Sequence, residues 1–165
     1  MVILVDSREN ANSHILDYLK AKKLNFIERK LDYGDYSFKL PKNPDLGITQ
    51  DIWFDDEIVI ERKGSLTELS GNIGNKRTQF ENELIRKKNS KFYLMVEYAS
   101  WEMIKDAKYS TDYSPNAFQA SMYTFMARYN VMPIFLTKNY APFFIHGTFK
   151  YYLREVLSRF TEVQS

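Results

Sequence analysis

Residues 58–63 read Ile-Val-Ile-Glu-Arg-Lys, an apolar run that passes directly into charged residues. Consecutive β-branched residues predict a β-strand here. Side chains alternate along a strand, so Val59, Glu61 and Lys63 share one face while Arg62 points to the other. A carboxylate and an ammonium group on the same face of a buried strand predict a compact polar site on a rigid support.

Strand and helix patterns alternate on both sides of this segment. The strand patterns lie at 2–5, 24–31, 35–40, 52–54, 91–97 and 131–136. The helix patterns lie at 12–23, 65–69, 76–88, from 114 onward with apolar residues to 126, and at 148–160. This order predicts a three-layer α/β/α fold with a mixed central sheet, in which the first strands include antiparallel pairs.

Several local features follow from the same patterns. Residues 52–54 and 58–63 are predicted to form a hairpin around Asp55-Asp56. The segment 71–74 is predicted to be a flexible loop, and Ile85 is expected to face inward with Phe80 and Leu84.

Length and composition narrow the class of protein. The 165 residues fit one domain, 1–165, and the absence of Cys excludes disulfides, thiolate nucleophiles and cysteine zinc sites. No apolar run approaches the roughly 20 residues of a membrane span, and residues 1–9 lack a signal-peptide core. We therefore expect an intracellular protein without a membrane partner.

The net charge of +2 says little about binding partners, so any basic surface must come from local clustering of charged residues. Between residues 61 and 91 there are eight basic and four acidic residues. This excess predicts either a phosphate-binding surface or a solvated helix face. The DNA-binding candidates within it are Lys76, Lys87 and Lys88.

Two further carboxylates lie where strands begin or end. Asp6 follows the apolar run 2–5, and Asp35 follows Gly34 at the start of another strand. Paired carboxylates suit Mg²⁺, and a nearby lysine can orient water or offset charge in a phosphoryl transition state. Taken alone, the Glu61-Arg62-Lys63 sequence is more often an ordinary cross-strand ion pair of Lys63 with Asp35 or Glu61 than a catalytic site.

Four motifs occur together in this chain. They are Val5-Asp6-Ser7-Arg8-Glu9, Gly34-Asp35-Tyr36, Ile60-Glu61-Arg62-Lys63, and Arg77 followed by Gln79-Phe80. Their order resembles the XPF-type (ERCC4-like) nuclease domain, the structure-specific DNA endonuclease branch of the PD-(D/E)xK nucleases. The resemblance is strong over residues 2–97, and it implies the restriction-endonuclease-like version of the predicted fold.

The resemblance also implies roles for individual residues. Asp35, Glu61 and Asp6 would bind Mg²⁺ or Mn²⁺, and Lys63 would be the catalytic lysine beside Glu61 and Asp35. The residues that would support the site or bind phosphate are Arg8, Glu9, Arg62, Arg77 and Gln79. The implied activity is metal-dependent hydrolysis of phosphodiester bonds in DNA, at branched or flapped substrates in repair or recombination.

The chain departs from the family pattern in places. The acidic position after Glu-Arg-Lys is Thr67, unless Gly64 is a one-residue insertion that aligns Glu68 there. The turn-rich segment 41–50 lengthens the connection between Asp35 and Glu61. Eukaryotic and archaeal relatives usually carry a helix-hairpin-helix module after the nuclease domain, and the residues after Phe160 are too few to form one. We therefore expect either a stand-alone bacterial or phage form, acting in the cytoplasm near the nucleoid, or a nuclease domain excised from a longer protein.

Two questions of function and assembly stay open at this stage. A catalytically inactive DNA-binding or scaffold module of the same fold is the alternative to a nuclease, and a restriction-like or RNA-directed nuclease is a third possibility. Aromatic residues beyond one helical face cluster near the C-terminus, at Tyr140, Phe143, Phe144 and Tyr151. This surplus, with the pairing of XPF-type domains, predicts a homodimer.

Overall fold

The computed structural model describes residues 1–87 and 89–162, and the strands within them form one sheet. The strands are β1 (Val2–Asp6), β2 (Phe26–Arg29), β3 (Tyr36–Leu40), β4 (Ile52–Trp53), β5 (Ile58–Lys63), β6 (Lys91–Glu97) and β7 (Val131–Leu136). The α-helices are α1 (Ser13–Ala21), α2 (Leu66–Asn75), α3 (Arg77–Arg86), α4 (Trp101–Lys105), α5 (Pro115–Tyr129) and α6 (Ala141–Glu162).

The sheet is mixed, as predicted. Its strand order is β2-β1-β3-β5-β6-β7, with β4 beside β3. Strand β3 is antiparallel to β1, β4 and β5, while β1 pairs with β2, and β6 with β5 and β7, in parallel. The carboxyl ends of β1 and β5 therefore meet the amino end of β3 at one edge of the sheet.

Helices cover the two faces of the sheet with different sets of core residues. On one face, α1 and α6 pack against β1, β3, β5 and β6 through residues such as Ile15 and Phe149. On the other face, α2, α3, α4 and α5 cover β5, β6 and β7 through residues such as Leu69, Phe80 and Phe118. The three-layer α/β/α prediction is confirmed.

The predicted hairpin of residues 52–54 with 58–63 is wrong. Strand β4 pairs with the end of β3, and β5 pairs with the start of the same strand. A tight turn separates them, in which the N–H groups of Glu57 and Ile58 both donate to the carbonyl of Phe54 at 2.9 Å. This turn lays β4 and β5 end to end along β3 rather than side by side.

The predicted loop at residues 71–74 is the second half of α2. Its start is as expected, because the Ser65 hydroxyl accepts the N–H of Glu68. The helix continues because Leu66, Leu69 and Ile73 form one buried stripe. Gly74 permits close packing, since a Cβ there would lie 3.4 Å from the Tyr113 ring.

The predicted inward position of Ile85 and the predicted start of the last helix are also wrong. Ile85 is 60% exposed because Phe80 and Leu84, four residues apart, define the buried stripe of α3 and Ile85 lies outside it. The last helix begins at Ala141 rather than at 148, so it includes His146. Pro142 fits its first turn, and Ile145 and Phe149 continue its buried face.

None of the helices in the described part of the chain is long and apolar enough to cross a membrane.

Candidate active site and metal centre

The turn before β3 places the Asp35 carboxylate beside the end of β5. Gly34 adopts a left-handed backbone conformation, φ +71°, and a Cβ there would lie 3.0 Å from the Cβ of Val59. The N–H of Asp35 donates to the carbonyl of Ile60 at 2.9 Å. One carboxylate oxygen of Asp35 accepts the backbone N–H of Arg62 at 2.7 Å. Asp35 is therefore fixed against the backbone of the strand that carries the other candidate residues.

Glu61 and Lys63 lie on the same face of β5, as the alternation predicts. The Lys63 Nζ donates to Glu61 Oε1 at 2.6 Å, and both side chains are buried. Lys63 Nζ also lies 3.7 Å from Glu68 Oε1. Glu68 in turn accepts the N–H of Gly64 at 2.9 Å, so it stands beside the site at the start of α2.

Burial makes the negative charges of this site costly. It raises the pKa of Asp35 to about 7, against the opposing attraction of Lys63. Burial also raises the pKa of Glu61 well above its usual range, and the neighbouring Asp35 carboxylate adds to this shift. For Lys63, burial lowers the pKa, but attraction to Glu61 and Asp35 outweighs it and the net shift is upward. The lysine therefore remains charged.

This pair of carboxylates fits a hard divalent cation. A cation favours ionised carboxylates and would offset their mutual repulsion. Among the described side chains, those of residues 1–87 and 89–159, no group of three or more His, Cys, Asp or Glu is arranged to hold a metal ion. Mg²⁺ is commonly held by one or two carboxylates, with water and substrate phosphate completing its coordination. Asp35 and Glu61 meet that smaller requirement.

The Asp6 carboxylate, predicted to bind the metal ion, is already occupied by hydrogen bonds within the protein. Its carboxylate accepts the backbone N–H, Nε and Nη2 of Arg8 and the N–H of Leu31, at 2.6–2.9 Å. Burial raises the pKa of Asp6, but the hydrogen bonds from Arg8 and Leu31 reverse this shift and leave it lowered. Asp6 thus anchors Arg8 at the edge of the site, and it would have to release Arg8 to bind a cation.

Arg62 points to the opposite face of the sheet, as predicted, into a buried ionic network. Its Nε and Nη2 donate to the two carboxylate oxygens of Glu97, each at 2.8 Å. Glu97 also lies 2.7 Å from His14 Nε2, and Arg62 Nη1 lies 3.4 Å from Glu9 Oε1. Arg62 and Glu9 therefore support the strand from behind, in agreement with a supporting role.

Arg77 connects two helices of the site layer. Its Nε donates to Glu81 at 3.0 Å, its Nη1 donates to Ser121 at 2.7 Å, and its guanidinium lies over the Phe125 ring. These contacts tie α3 to α5 and favour a supporting role. Gln79 is exposed on the same helix.

The three lysines predicted to contact DNA differ in their surroundings. Lys76 is exposed between α2 and α3. Lys87 does not lie on a solvated helix face, because its side chain is 2% exposed and its Nζ donates to the carbonyl of Ser90. Lys88 lies outside the described residues. The expected phosphate-tracking helix face is therefore not formed by Lys87.

Sequence reasoning missed two residues of this region. Glu83 on α3 accepts the N–H of Gly34 at 3.1 Å, and its charge adds to the raised pKa values of Asp35 and Glu61. No local pattern signals Glu83, because its role depends on α3 packing over the turn at Gly34. Glu97 ends a buried strand, which is the same signal that identified Asp6.

Comparison with known proteins supports the family relationship. The ERCC4 domain family matches residues 5–144 of the chain. The fold resembles XPF from Aeropyrum pernix with a TM-score of 0.67 at 18% identity, over 99% of this chain and 70% of that one. A structure described as XPF from Aeropyrum pernix, complex with DNA, gives a TM-score of 0.63 at 16% identity, over 93% of this chain and 65% of that one.

No curated protein sequence matches the chain. At 16–18% identity the two structural matches show the fold alone. This protein spans only part of the matched chains, 70% of the first and 65% of the second. The family match does not depend on them, and it contains all four motifs that carry the predicted resemblance. Since it extends over most of the sequence, the chain belongs to the ERCC4 domain family.

Proposed function

We propose that this protein is a Mg²⁺- or Mn²⁺-dependent endonuclease that hydrolyses phosphodiester bonds in DNA. The observation that carries the proposal is the buried Glu61 and Lys63 pair, hydrogen-bonded at 2.6 Å, with the half-buried Asp35 carboxylate held against the same strand by the N–H of Arg62. Such a cluster is costly to bury, and cost of this kind is typical of functional sites. The DNA substrate rests on the family and on the related XPF solved in complex with DNA.

The proposed chemistry assigns a distinct task to each side chain. Asp35 and Glu61 would hold the cation, and a bound Mg²⁺ or Mn²⁺ supplies Lewis-acid stabilisation of phosphoryl oxygens and makes water more acidic. Lys63 stays protonated, so it can hydrogen-bond the attacking water and offset charge on the phosphoryl group. Glu61 fixes the Lys63 ammonium in place. The water oxygen then bonds to phosphorus while the bond from phosphorus to the leaving oxygen breaks. The proton of the attacking water passes to solvent, and the leaving oxygen takes up a proton from solvent.

The alternative of an inactive DNA-binding or scaffold module is less well supported. A module without catalysis gains nothing from burying Glu61 and Lys63 beside the half-buried Asp35, because such a cluster costs desolvation energy. Arg8 faces the same region, where its guanidinium is anchored by Asp6 and the carbonyl of Leu31. An exposed, anchored guanidinium next to the carboxylates suits a phosphate of the cleaved strand.

The direct test is a cleavage assay with flap, fork, nicked and four-way-junction DNAs, with plain duplex and RNA of the same sequence as controls. We expect cleavage with Mg²⁺ or Mn²⁺, none with EDTA, and a preference for branched or flapped DNA in keeping with a repair or recombination role inside the cell. Binding of every DNA without cleavage under any metal would favour the scaffold alternative. Cleavage of plain duplex or RNA alone would favour the restriction-like or RNA-directed reading.

A homodimer built on the C-terminal helix is part of the same proposal. Phe149 belongs to the core, whereas Tyr140, Phe143 and Tyr151 are 50–58% exposed. A cavity of about 430 Å³ lies along α6 beside Tyr151 and Tyr152. Aromatic side chains are enriched at protein interfaces, so these exposed rings favour an interface along α6.

Sedimentation at micromolar concentration tests this assembly. We expect the wild-type protein to have about twice the 19.6 kDa mass of one chain. The double variant Phe143→Ser, Tyr151→Ser should have the mass of one chain. A single-chain mass at all concentrations for the wild-type protein would contradict the homodimer.

A further inference from the structure

Glu83 lies on the side of α3 that faces the candidate active site. Phe80, one turn earlier on the same helix, is buried, and the centre of its ring lies 6.0 Å from the Nζ of Lys63. Residues three positions apart are neighbours on a helix surface, so Glu83 continues this side of α3. Its Oε1 accepts the N–H of Gly34 at 3.1 Å, at the turn that carries Asp35. Glu83 therefore joins α3 to the turn before β3.

The charge of Glu83 acts on three ionisable groups of the site. Burial is the main cause of the raised pKa values of Asp35 and Glu61, and the negative charge of Glu83 adds to both shifts. The hydrogen bond to Asp6 is the main cause of the raised pKa of Arg8, and Glu83 adds to that shift as well. Glu83 is thus within electrostatic reach of both candidate metal ligands and of the guanidinium at the edge of the site.

Asp35 and Glu83 share a second property, which is the lack of an ionic partner. The two cations that contact carboxylates of the site are already paired at 2.6 Å, as Arg8 with Asp6 and Lys63 with Glu61. Asp35 and Glu83 form no ion pair with any side chain that the structure describes. Each accepts one backbone N–H instead, from Arg62 and Gly34. At least two negative charges of the site are therefore left without a cation.

A hydrogen bond to the Gly34 turn does not by itself explain a glutamate at position 83. A glutamine would accept the same N–H without a charge, and a third carboxylate near Asp35 and Glu61 adds repulsion. Like charges brought together in this way are typical of functional sites. A bound divalent cation would remove the cost, because it attracts all three carboxylates.

We propose that Glu83 is a positioning residue for the cation of the proposed nuclease, which holds the Gly34 turn with one carboxylate oxygen and a water of the cation with the other. This inference rests on the proposed function. No three His, Cys, Asp or Glu among the described side chains are arranged to hold a metal ion directly, so Glu83 acts through water. Mg²⁺ usually keeps several waters in proteins. Hydrogen-bond partners of this outer kind change metal affinity by roughly 10–100-fold.

Isothermal titration calorimetry with Mn²⁺, without DNA, tests this role separately from cleavage. Glu83→Gln keeps an oxygen that can accept the N–H of Gly34 and removes the charge, whereas Glu83→Met removes both. Glu28→Gln is the matched control, because Glu28 is an exposed glutamate on β2. Hydrogen exchange of the Gly34 amide, measured by NMR, reports whether the turn is still held.

We expect both Glu83 variants to bind Mn²⁺ about tenfold more weakly than the wild type, and Glu28→Gln to bind it equally well. Exchange of the Gly34 amide should stay slow in Glu83→Gln and become faster in Glu83→Met. The Mn²⁺ concentration for half-maximal cleavage should rise in Glu83→Gln by the same factor as the dissociation constant. Without metal, Glu83→Gln should melt no lower than the wild type, because it removes repulsion between like charges.

The outcomes separate this proposal from the nuclease activity itself. Wild-type Mn²⁺ affinity in Glu83→Gln, with the Gly34 amide still protected, would overturn the role of Glu83 and leave the proposed nuclease intact. Weaker Mn²⁺ binding by Glu83→Gln, in a protein whose wild type cleaves no DNA, would support the role of Glu83 and contradict the nuclease. Absence of Mn²⁺ binding to the wild-type protein at millimolar concentration would contradict both.

Discussion

Glu97 holds Arg62 through two parallel hydrogen bonds of 2.8 Å on the face of the sheet opposite Glu61 and Lys63. The two residues lie near the carboxyl ends of neighbouring parallel strands, and both side chains are buried. The candidate catalytic residues therefore rest on a strand whose other face is fixed by a bidentate ion pair. His14 and Glu9 extend this network on the same side.

Breaking this pair should destabilise the protein strongly. Arg62→Met leaves the Glu97 carboxylate buried without its main partner, and the expected loss in the free energy of unfolding is about 3–5 kcal/mol. Urea denaturation measures it. Adding Glu97→Leu to Arg62→Met removes the stranded charge and should restore a large part of the loss. A double variant no more stable than Arg62→Met would show that the carboxylate charge is not the cause.

The same carboxylate predicts a pH dependence of stability. Burial raises the pKa of Glu97, but hydrogen bonds from Arg62 and His14 outweigh it, so the folded-state pKa lies below the usual value of 4.5. A lowered folded pKa gives stability that is present above pH 4.5 and lost as the pH falls through the folded-state pKa. The stability difference between wild type and Glu97→Gln should therefore shrink below pH 4.5. A difference that is constant from pH 7 to pH 3 would contradict this.

Gly34 and Gly47 form a matched pair of left-handed glycines. Their φ angles are +71° and +73°, but a Cβ at Gly34 would lie 3.0 Å from the Val59 Cβ, whereas nothing lies within 4 Å at Gly47. Gly47→Ala should cost about 1 kcal/mol from backbone strain alone. Gly34→Ala should cost more and should also reduce cleavage, because the added methyl displaces the turn that positions Asp35. Equal effects of the two substitutions on stability and cleavage would argue against this positioning role.

Asp6 and Asp35 should respond differently to loss of charge. Asp35→Asn should weaken Mn²⁺ binding, measured by calorimetry without DNA, because it removes one of the two carboxylates that would hold the cation. Asp6→Asn should keep most of the Mn²⁺ affinity and lower stability instead, since Asp6 is saturated by Arg8 and Leu31. Loss of Mn²⁺ binding in Asp6→Asn would return Asp6 to the ligand set.

The sequence predicts features of the site that depend on a single segment better than features that depend on contacts between segments distant in the chain. The opposite directions of Lys63 and Arg62 follow from strand alternation, which depends on one segment alone. The hairpin predicted for β4 and β5 is wrong because their arrangement depends on the turn that begins at Phe54. Two short strand patterns separated by Asp55-Asp56 look the same in sequence whether the strands lie side by side or end to end.

Contacts between elements are the part that local patterns do not contain. The position of Glu83 over Gly34 and the burial of Lys87 both depend on how α3 packs against the rest of the molecule. On a helical wheel, a lysine after the last turn looks solvated whether or not another helix end covers it. The role of Glu97 could be predicted only in part, because its place at the end of a strand is visible in the sequence but its partners are not.

The measurement that tests the central claim most directly is cleavage of flap DNA by Lys63→Met with Mg²⁺ or Mn²⁺ present. The variant keeps the length of the buried side chain and removes the ammonium hydrogen-bonded to Glu61, and circular dichroism and DNA binding verify that it folds. We predict a rate at least about 100-fold below that of the wild type, with Lys20→Met unchanged as the control lysine. A folded Lys63→Met protein that cuts as fast as the wild type would contradict the assignment of Asp35, Glu61 and Lys63 as the active site.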